Sequence, residues 1–250
     1  MKHLLKLSYL GTNYCGFQVQ PNGNTIQAEL QNAATKLFCT ACGIIGCSRT
    51  DSGVHALEYY AVLLENGKTE IPEEAVPRAL NTYLPRDIVV SHSARVPDDF
   101  AIHRAVLGKE YFYLIWNGEY RSPFYTDRAL FYPHSLDLQK MQDALPYFIG
   151  THDFRAFMAS GSDISDTVRT ITDFRLERDG SFLKIYVSAD GFLYNMVRIL
   201  VGTLLEISEG RIAVRQVSSI IAEGNRGRAG RTAPAAGLYL NRVFLCTEHF

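Results

Sequence analysis

No window of this 250-residue sequence approaches the length of a membrane span. Residues 1–10 carry two lysines and alternate in polarity, unlike the apolar core of a secretory signal. A membrane partner is therefore not expected. An excess of charge of either sign is also missing: 25 Lys and Arg stand against 26 Asp and Glu, a formal net charge of −1. Bulk charge thus does not announce a nucleic-acid binder, although local patches outweigh the sum. Arg211, Arg215, Arg226, Arg228, Arg231 and Arg242 crowd the C-terminal end, where the ordinary reading is a solvated face. Cysteine is scarce and odd in number, at five. An odd count without a signal segment fits reduced thiols and a cytoplasmic setting. Cys39-Thr40-Ala41-Cys42, with Cys47 and His55 nearby, has the beginnings of a zinc site, but a second CxxC is missing and residues 42–47 run into a strand. No metal is expected.

What is present is ordinary globular material, 47% hydrophobic and 20% charged, enough for one large domain or two small ones. Residues 4–10 alternate as a strand, and residues 11–23 form a loop rich in Gly, Asn, Tyr and Gln. Asn24 opens a helix with Gln27 as its capping-box partner, and Ile26, Leu30, Ala33 and Leu37 make the buried stripe. Strands follow over 43–47 and 57–64, then a helix from Pro72 carrying Ala75, Val76, Ala79 and Leu80, then a strand over 88–93. The order is β-α-β-β-α-β, a ferredoxin-like (split βαβ) unit. A second round is visible. It has a strand over 109–116, a helix over 136–148, a hairpin of strands 171–177 and 182–189 turning at Asp179-Gly180, helices over 192–207 and 214–222, and a last strand over 238–245. The predicted fold class is α+β, with domains at 1–104 and 105–250. Two such units side by side would make one continuous antiparallel sheet with a central cleft, a platform of the kind RNA-binding domains use.

Three places are candidates for chemistry. In Arg49-Thr50-Asp51-Ser52-Gly53-Val54-His55-Ala56 a cation precedes the acid by two residues, a hydroxyl stands between them, and a glycine follows. That combination can hold a carboxylate ionised and let a substrate approach the backbone; the plain alternative is a solvated turn. In Tyr111-Phe112-Tyr113, alternation places both tyrosines on one face, where an aromatic ring can stack on an unpaired base, or all three can be core. Arg198 lies in an apolar helical stretch and needs a partner. That partner is either a carboxylate from the other half or, within its own half, Asp190 or Glu206.

The Asp51 stretch resembles the signature loop of the TruA family of tRNA pseudouridine synthases. The likeness continues through Tyr9-Leu10-Gly11-Thr12-Asn13-Tyr14-Cys15-Gly16-Phe17-Gln18, Thr25-Ile26-Gln27, Leu84-Pro85-Arg86-Asp87-Ile88, Val96-Pro97-Asp98-Asp99-Phe100, Lys109-Glu110-Tyr111, Thr151-His152-Asp153-Phe154, Val168-Arg169-Thr170-Ile171, Met196-Val197-Arg198, Ala233-Pro234 and Gly237-Leu238. The resemblance implies an isomerase that converts uridine to pseudouridine at positions 38, 39 and 40 in the anticodon stem-loop of tRNAs. It also implies two ferredoxin-like halves, a homodimer and no organic cofactor. By the same match Asp51 is the catalytic nucleophile, Tyr111 the base-stacking tyrosine, Arg198 the arginine that pairs with the aspartate, and Arg49 the basic residue of the loop that handles RNA. The family usually has Gly where this chain has Ser48, Asp at Leu10 and Arg at His103. A seryl residue at a position needing positive φ would be strained. The reaction gains no atoms and involves no redox step, so one ionised carboxylate can suffice. A glycosidase would want two cooperating acids, and Glu58, the nearest candidate, falls on the following strand. The alternatives are a pseudouridine synthase with another RNA target and a non-catalytic RNA-binding homologue.

Overall fold

The computed structural model describes residues 1–21, 23–65, 71–161 and 164–246; Asn22, in the expected loop 11–23, lies outside them. The mixed α+β class expected from the sequence is what is found. The chain packs as two compact units, the first made of Met1–Leu107 together with the chain from Leu240, the second of Gly108–Tyr239. The sequence expectation of 1–104 and 105–250 differs mainly at the end of the chain, where the last strand packs with the first unit.

In the first unit the elements run β1 (Lys2–Tyr9), α1 (Ile26–Phe38), β2 (Gly43–Gly46), β3 (His55–Leu64), α2 (Val76–Asn81), β4 (Ile88–Val96) and a short α3 (Ile102–Ala105). Strand β1 pairs antiparallel with both β3 and β4, and β2 pairs antiparallel with the end of β3. This is the β-α-β-β-α-β order read from the sequence. Leu4, Leu5, Leu7, Ile26, Leu30 and Leu63 are fully or almost fully buried, each contributing about 1.5–3 kcal/mol by leaving water. Helix α1 is capped by Thr25, whose hydroxyl accepts the Ala28 N–H at 3.3 Å. The expected cap, Asn24, instead donates to Glu29, and Gln27 bonds Val19 and Ile44. The buried stripe ends on Phe38 rather than Leu37. The Val243 N–H donates to the Glu58 carboxylate at 3.0 Å, tying the returning chain to β3.

In the second unit β5 (Val106–Trp116) leads through the two-residue β6 (Leu130–Phe131) to α4 (Leu138–Ala144), β7 (Gly150–Asp153), β8 (Val168–Asp179) and β9 (Phe182–Ala189). The strand order is β5-β9-β8-β7. The β8–β9 hairpin turns on Gly180 and Ser181, with Asp179 opposite Phe182, one residue later than expected. Gly180 takes φ +54°, which the tight turn demands. Helices α5 (Met196–Ser208) and α6 (Gln216–Glu223) follow, and β10 (Leu238–Leu245) carries the chain back to the first unit. Helix α5 is buried nearly all round. It starts at Met196, not at residue 192, because Asn195 adopts the left-handed conformation, φ 60° and ψ 10°, which a helix interior forbids. No helix among the described residues is long and apolar enough to cross a membrane.

Candidate active site

The Asp51 loop joins β2 to β3 and is held by its backbone at almost every residue. At its entrance Tyr59 accepts the Ser48 N–H at 3.3 Å and donates its hydroxyl to the Ser48 carbonyl. A side chain on Gly46 would meet the Tyr59 hydroxyl and the Phe17 ring within 2.3 Å, so glycine is required there. Thr50 is buried, with its hydroxyl 2.7 Å from the Tyr9 hydroxyl and its carbonyl accepting the Phe17 N–H at 3.2 Å. The Ser52 hydroxyl and the Gly53 N–H both donate to the Tyr14 carbonyl. The Val54 N–H closes the turn on the Asp51 carbonyl at 3.1 Å, with Gly53 at φ +79° in the third position, where a turn with positive φ wants glycine.

The loop after β1 presses directly onto these residues. A Cβ on Gly11 would stand 2.0 Å from the Val54 carbonyl oxygen, and one on Gly16 2.5 Å from that of Thr50. The Gly11 N–H donates to Nδ1 of the fully buried His55 at 3.0 Å, which makes that nitrogen an acceptor and puts the ring proton of neutral His55 on Nε2. Tyr14 donates to Asp87 at 2.6 Å, and burial together with that carboxylate pushes its phenol well above the ordinary value. The result is a half-buried Asp51 side chain on an immobilised backbone, with Arg49 exposed two residues before it. Ser48 is not strained: among the described residues the non-glycine positive φ values belong to Cys39, Asp127 and Asn195.

The second acid considered from the sequence is committed elsewhere. Glu58 pairs with Lys6 at 2.8 Å and accepts the Val243 N–H. Cys39 closes α1 in a left-handed conformation and is exposed, and Cys42 is partly buried. Among the described residues no group of three or more His, Cys, Asp or Glu is placed to hold a metal ion.

Tyr111 and Arg198 both lie in the second unit. Alternation along β5 puts Tyr111 and Tyr113 on one face, as the sequence predicts. Tyr111 meets Phe192 edge-on at 5.2 Å. Tyr113 is fully buried and donates to the Pro234 carbonyl at 2.7 Å. Burial drives its phenol strongly upward, and the nearby Arg198 charge offsets only part of that. On the other face Phe112 stacks on Tyr239, with ring centroids 4.7 Å apart and planes 9° from parallel.

Arg198 falls in the first turn of α5. Its Nε donates to the Ala233 carbonyl at 2.7 Å and its Nη1 to the Asn195 Oδ1 at 2.5 Å. The two acids weighed as partners within this half have other bonds: Asp190 accepts the Thr170 N–H and Glu206 the Arg231 N–H. The segment bearing Ala233 lies against α5. The Ala233 N–H donates to the Arg198 carbonyl, and the Gly230 N–H to the Thr203 hydroxyl at 2.9 Å. Gly202 leaves the necessary space, since a Cβ there would overlap the Arg231 carbonyl oxygen at 1.7 Å. Sequence reasoning named Arg198 but missed Asn195 and the Ala233 carbonyl. The only available signals were an Asn just before the helix and the glycines at 202 and 230.

An acid on a rigid loop, aromatics on a strand and an anchored arginine, carried by two α+β units, describe an enzyme with preorganised polar groups. The model of a family described as tRNA pseudouridine synthase matches residues 7–103 and 144–244. The chain is 46% identical over 240 residues to tRNA pseudouridine synthase A of Acetivibrio thermocellus, covering 96% of this chain and 98% of that protein. It is 43% identical, with the same coverage, to tRNA pseudouridine synthase A 2 of Clostridium perfringens, and 42% identical, again with the same coverage, to tRNA pseudouridine synthase A of a Thermoanaerobacter species. The chain belongs to the tRNA pseudouridine synthase family, enzymes that isomerise uridine to pseudouridine.

Proposed function

We propose that this enzyme acts on uridines 38, 39 and 40 in the anticodon stem-loop of tRNAs, as a cytoplasmic homodimer with no organic cofactor. Asp51 is its nucleophile, and Tyr111, Arg198 and Arg49 contact the RNA. The observation that carries the reading is the fixation of the Asp51 loop at Ser48, Thr50, Ser52 and Gly53, which spends the ordering cost before substrate arrives. All five cysteines are free thiols, in keeping with a reducing compartment.

In the reaction the N1–C1′ bond breaks, the uracil turns, and C5 joins C1′. The hydrogen on C5 leaves to solvent and N1 takes up a proton, so the product is an isomer of the substrate. Asp51 is the nucleophile in either route, adding to the base or acting at the sugar. The target nucleotide must first leave its stack at a cost of a few kcal/mol, which an aromatic such as Tyr111 partly repays at about 1–3 kcal/mol per stacked base.

Unmodified tRNA tritiated at uridine C5 tests this. The wild-type protein releases tritium to solvent, and Asp51→Asn lowers the rate by about a thousandfold or more while retaining tRNA binding. Turnover retained in Asp51→Asn would remove Asp51 from the chemistry. Mapping the product would show a shifted RNA target if pseudouridine formed outside positions 38, 39 and 40.

A further inference from the structure

We propose that Asn195 is the positioning residue for Arg198, holding its guanidinium in the orientation the bound nucleotide requires. This rests on the reading of Arg198 as a substrate-binding group. Asn195 stands at the N-cap of α5, where an Asn side chain ordinarily accepts an N–H from the first turn and takes an extended backbone. It does neither. It makes no capping hydrogen bond, and its backbone is left-handed, φ 60° and ψ 10°. The side-chain oxygen is turned instead to Nη1 of Arg198 at 2.5 Å.

The local sequence therefore gives up a cap and accepts an uncommon backbone conformation to place one acceptor on one guanidinium nitrogen. The Ala233 carbonyl fixes Nε at 2.7 Å from a separate segment. That carbonyl is itself held, because the Ala233 N–H bonds the Arg198 carbonyl and the neighbouring Pro234 carbonyl accepts Tyr113. Two acceptors at two different nitrogens of a planar group define its plane. With the Asn195 oxygen removed, Nη1 loses an acceptor that fixes the outer end of the fork.

The variant that separates positioning from folding is Asn195→Gly. Glycine takes φ 60° without strain and serves at an N-cap, so the fold and α5 are kept. The expected result is a fall of about tenfold in the single-turnover rate of C5 tritium release, with tRNA affinity within about threefold of wild type and Tm not lowered. Asn195→Asp keeps an oxygen acceptor and is expected to stay within about threefold of the wild-type rate. In an Arg198→Ala background, Asn195→Gly is expected to add no further loss.

An unchanged rate in Asn195→Gly, with Arg198→Ala impaired, overturns the inference and leaves the role of Arg198 standing. An unimpaired Arg198→Ala overturns both. A lowered Tm with a parallel loss of tRNA affinity in Asn195→Gly would make the residue structural only and would also overturn the inference.

Discussion

The hydroxyls of Tyr9 and Thr50 lie 2.7 Å apart in the interior of the first unit, joining the end of β1 to the residue just before Asp51. Their separation in the chain is 41 residues, so this bond carries strand geometry into the Asp51 loop. Tyr9→Phe removes it without opening a cavity. The expected cost is about 1–2 kcal/mol of stability, read as a lower midpoint in urea. The fall in kcat is expected to exceed the rise in KM for tRNA, because what is lost is loop placement rather than a contact with RNA.

Gly16→Ala should be more damaging. The residue has φ +83°, and its Cβ would sit 2.5 Å from the Thr50 carbonyl oxygen. Backbone strain and the clash act on the same contact, and a loss of about 2 kcal/mol or more is expected. Thermal unfolding measures the stability term. Tritium release from folded protein measures how far the Asp51 loop has been displaced.

Tyr111→Phe retains the ring that meets Phe192 and is expected to keep tRNA affinity. Tyr111→Ala is expected to lose about 1–3 kcal/mol of stacking, seen as a slower single-turnover rate on tRNA. A Phe variant as slow as the Ala variant would assign the work to the hydroxyl.

The pH dependence of stability should report Glu209. Burial alone would raise its pKa, but the hydroxyl of Tyr132 and the charges of Arg231 and Arg211 outweigh that and lower it below the ordinary value. A lowered folded pKa gives stability that is present above the unfolded value and is lost as pH falls through the folded one. Its partner Tyr132 is pushed up to about 12, first by burial and then by Glu209. That contribution is present below the ordinary tyrosine pKa and is lost as pH rises toward 12. Glu209→Gln is therefore expected to be less stable than wild type at neutral pH, with the gap narrowing in acid. Urea titrations at several pH values from neutral downward check the sign.

The sequence made some of this legible and hid the rest for physical reasons. Alternation on β5 sorted Tyr111 and Tyr113 from Phe112, and helical spacing found Ile26, Leu30 and Ala33, because those patterns are local. The cap of α1 was misplaced by one residue because Asn24 and Thr25 are both good caps, and only tertiary contacts choose. Strands β6 and β7, with two and four residues, are too short for any period. The start of α5 was hidden because Phe192 and Leu193 continue the apolar pattern of the helix, and nothing local announces that Asn195 will turn left-handed. The Asp51 loop stood out by its charge, hydroxyl and glycine. The groups that hold it, Tyr9, Gly11, Phe17 and Tyr59, were out of reach because no local rule pairs residues so far apart.

The last strand leaves the first unit discontinuous in sequence, with residues 108–239 inserted before the chain from Leu240 rejoins it. During synthesis, the part that bears Asp51 therefore waits for the chain from Leu240 before its own packing can be completed, whereas the inserted part has all its residues earlier. Domains emerging from the ribosome ordinarily mature from the N-terminus onward; here the unit that begins first holds its complete set of residues only after the inserted unit has all of its own.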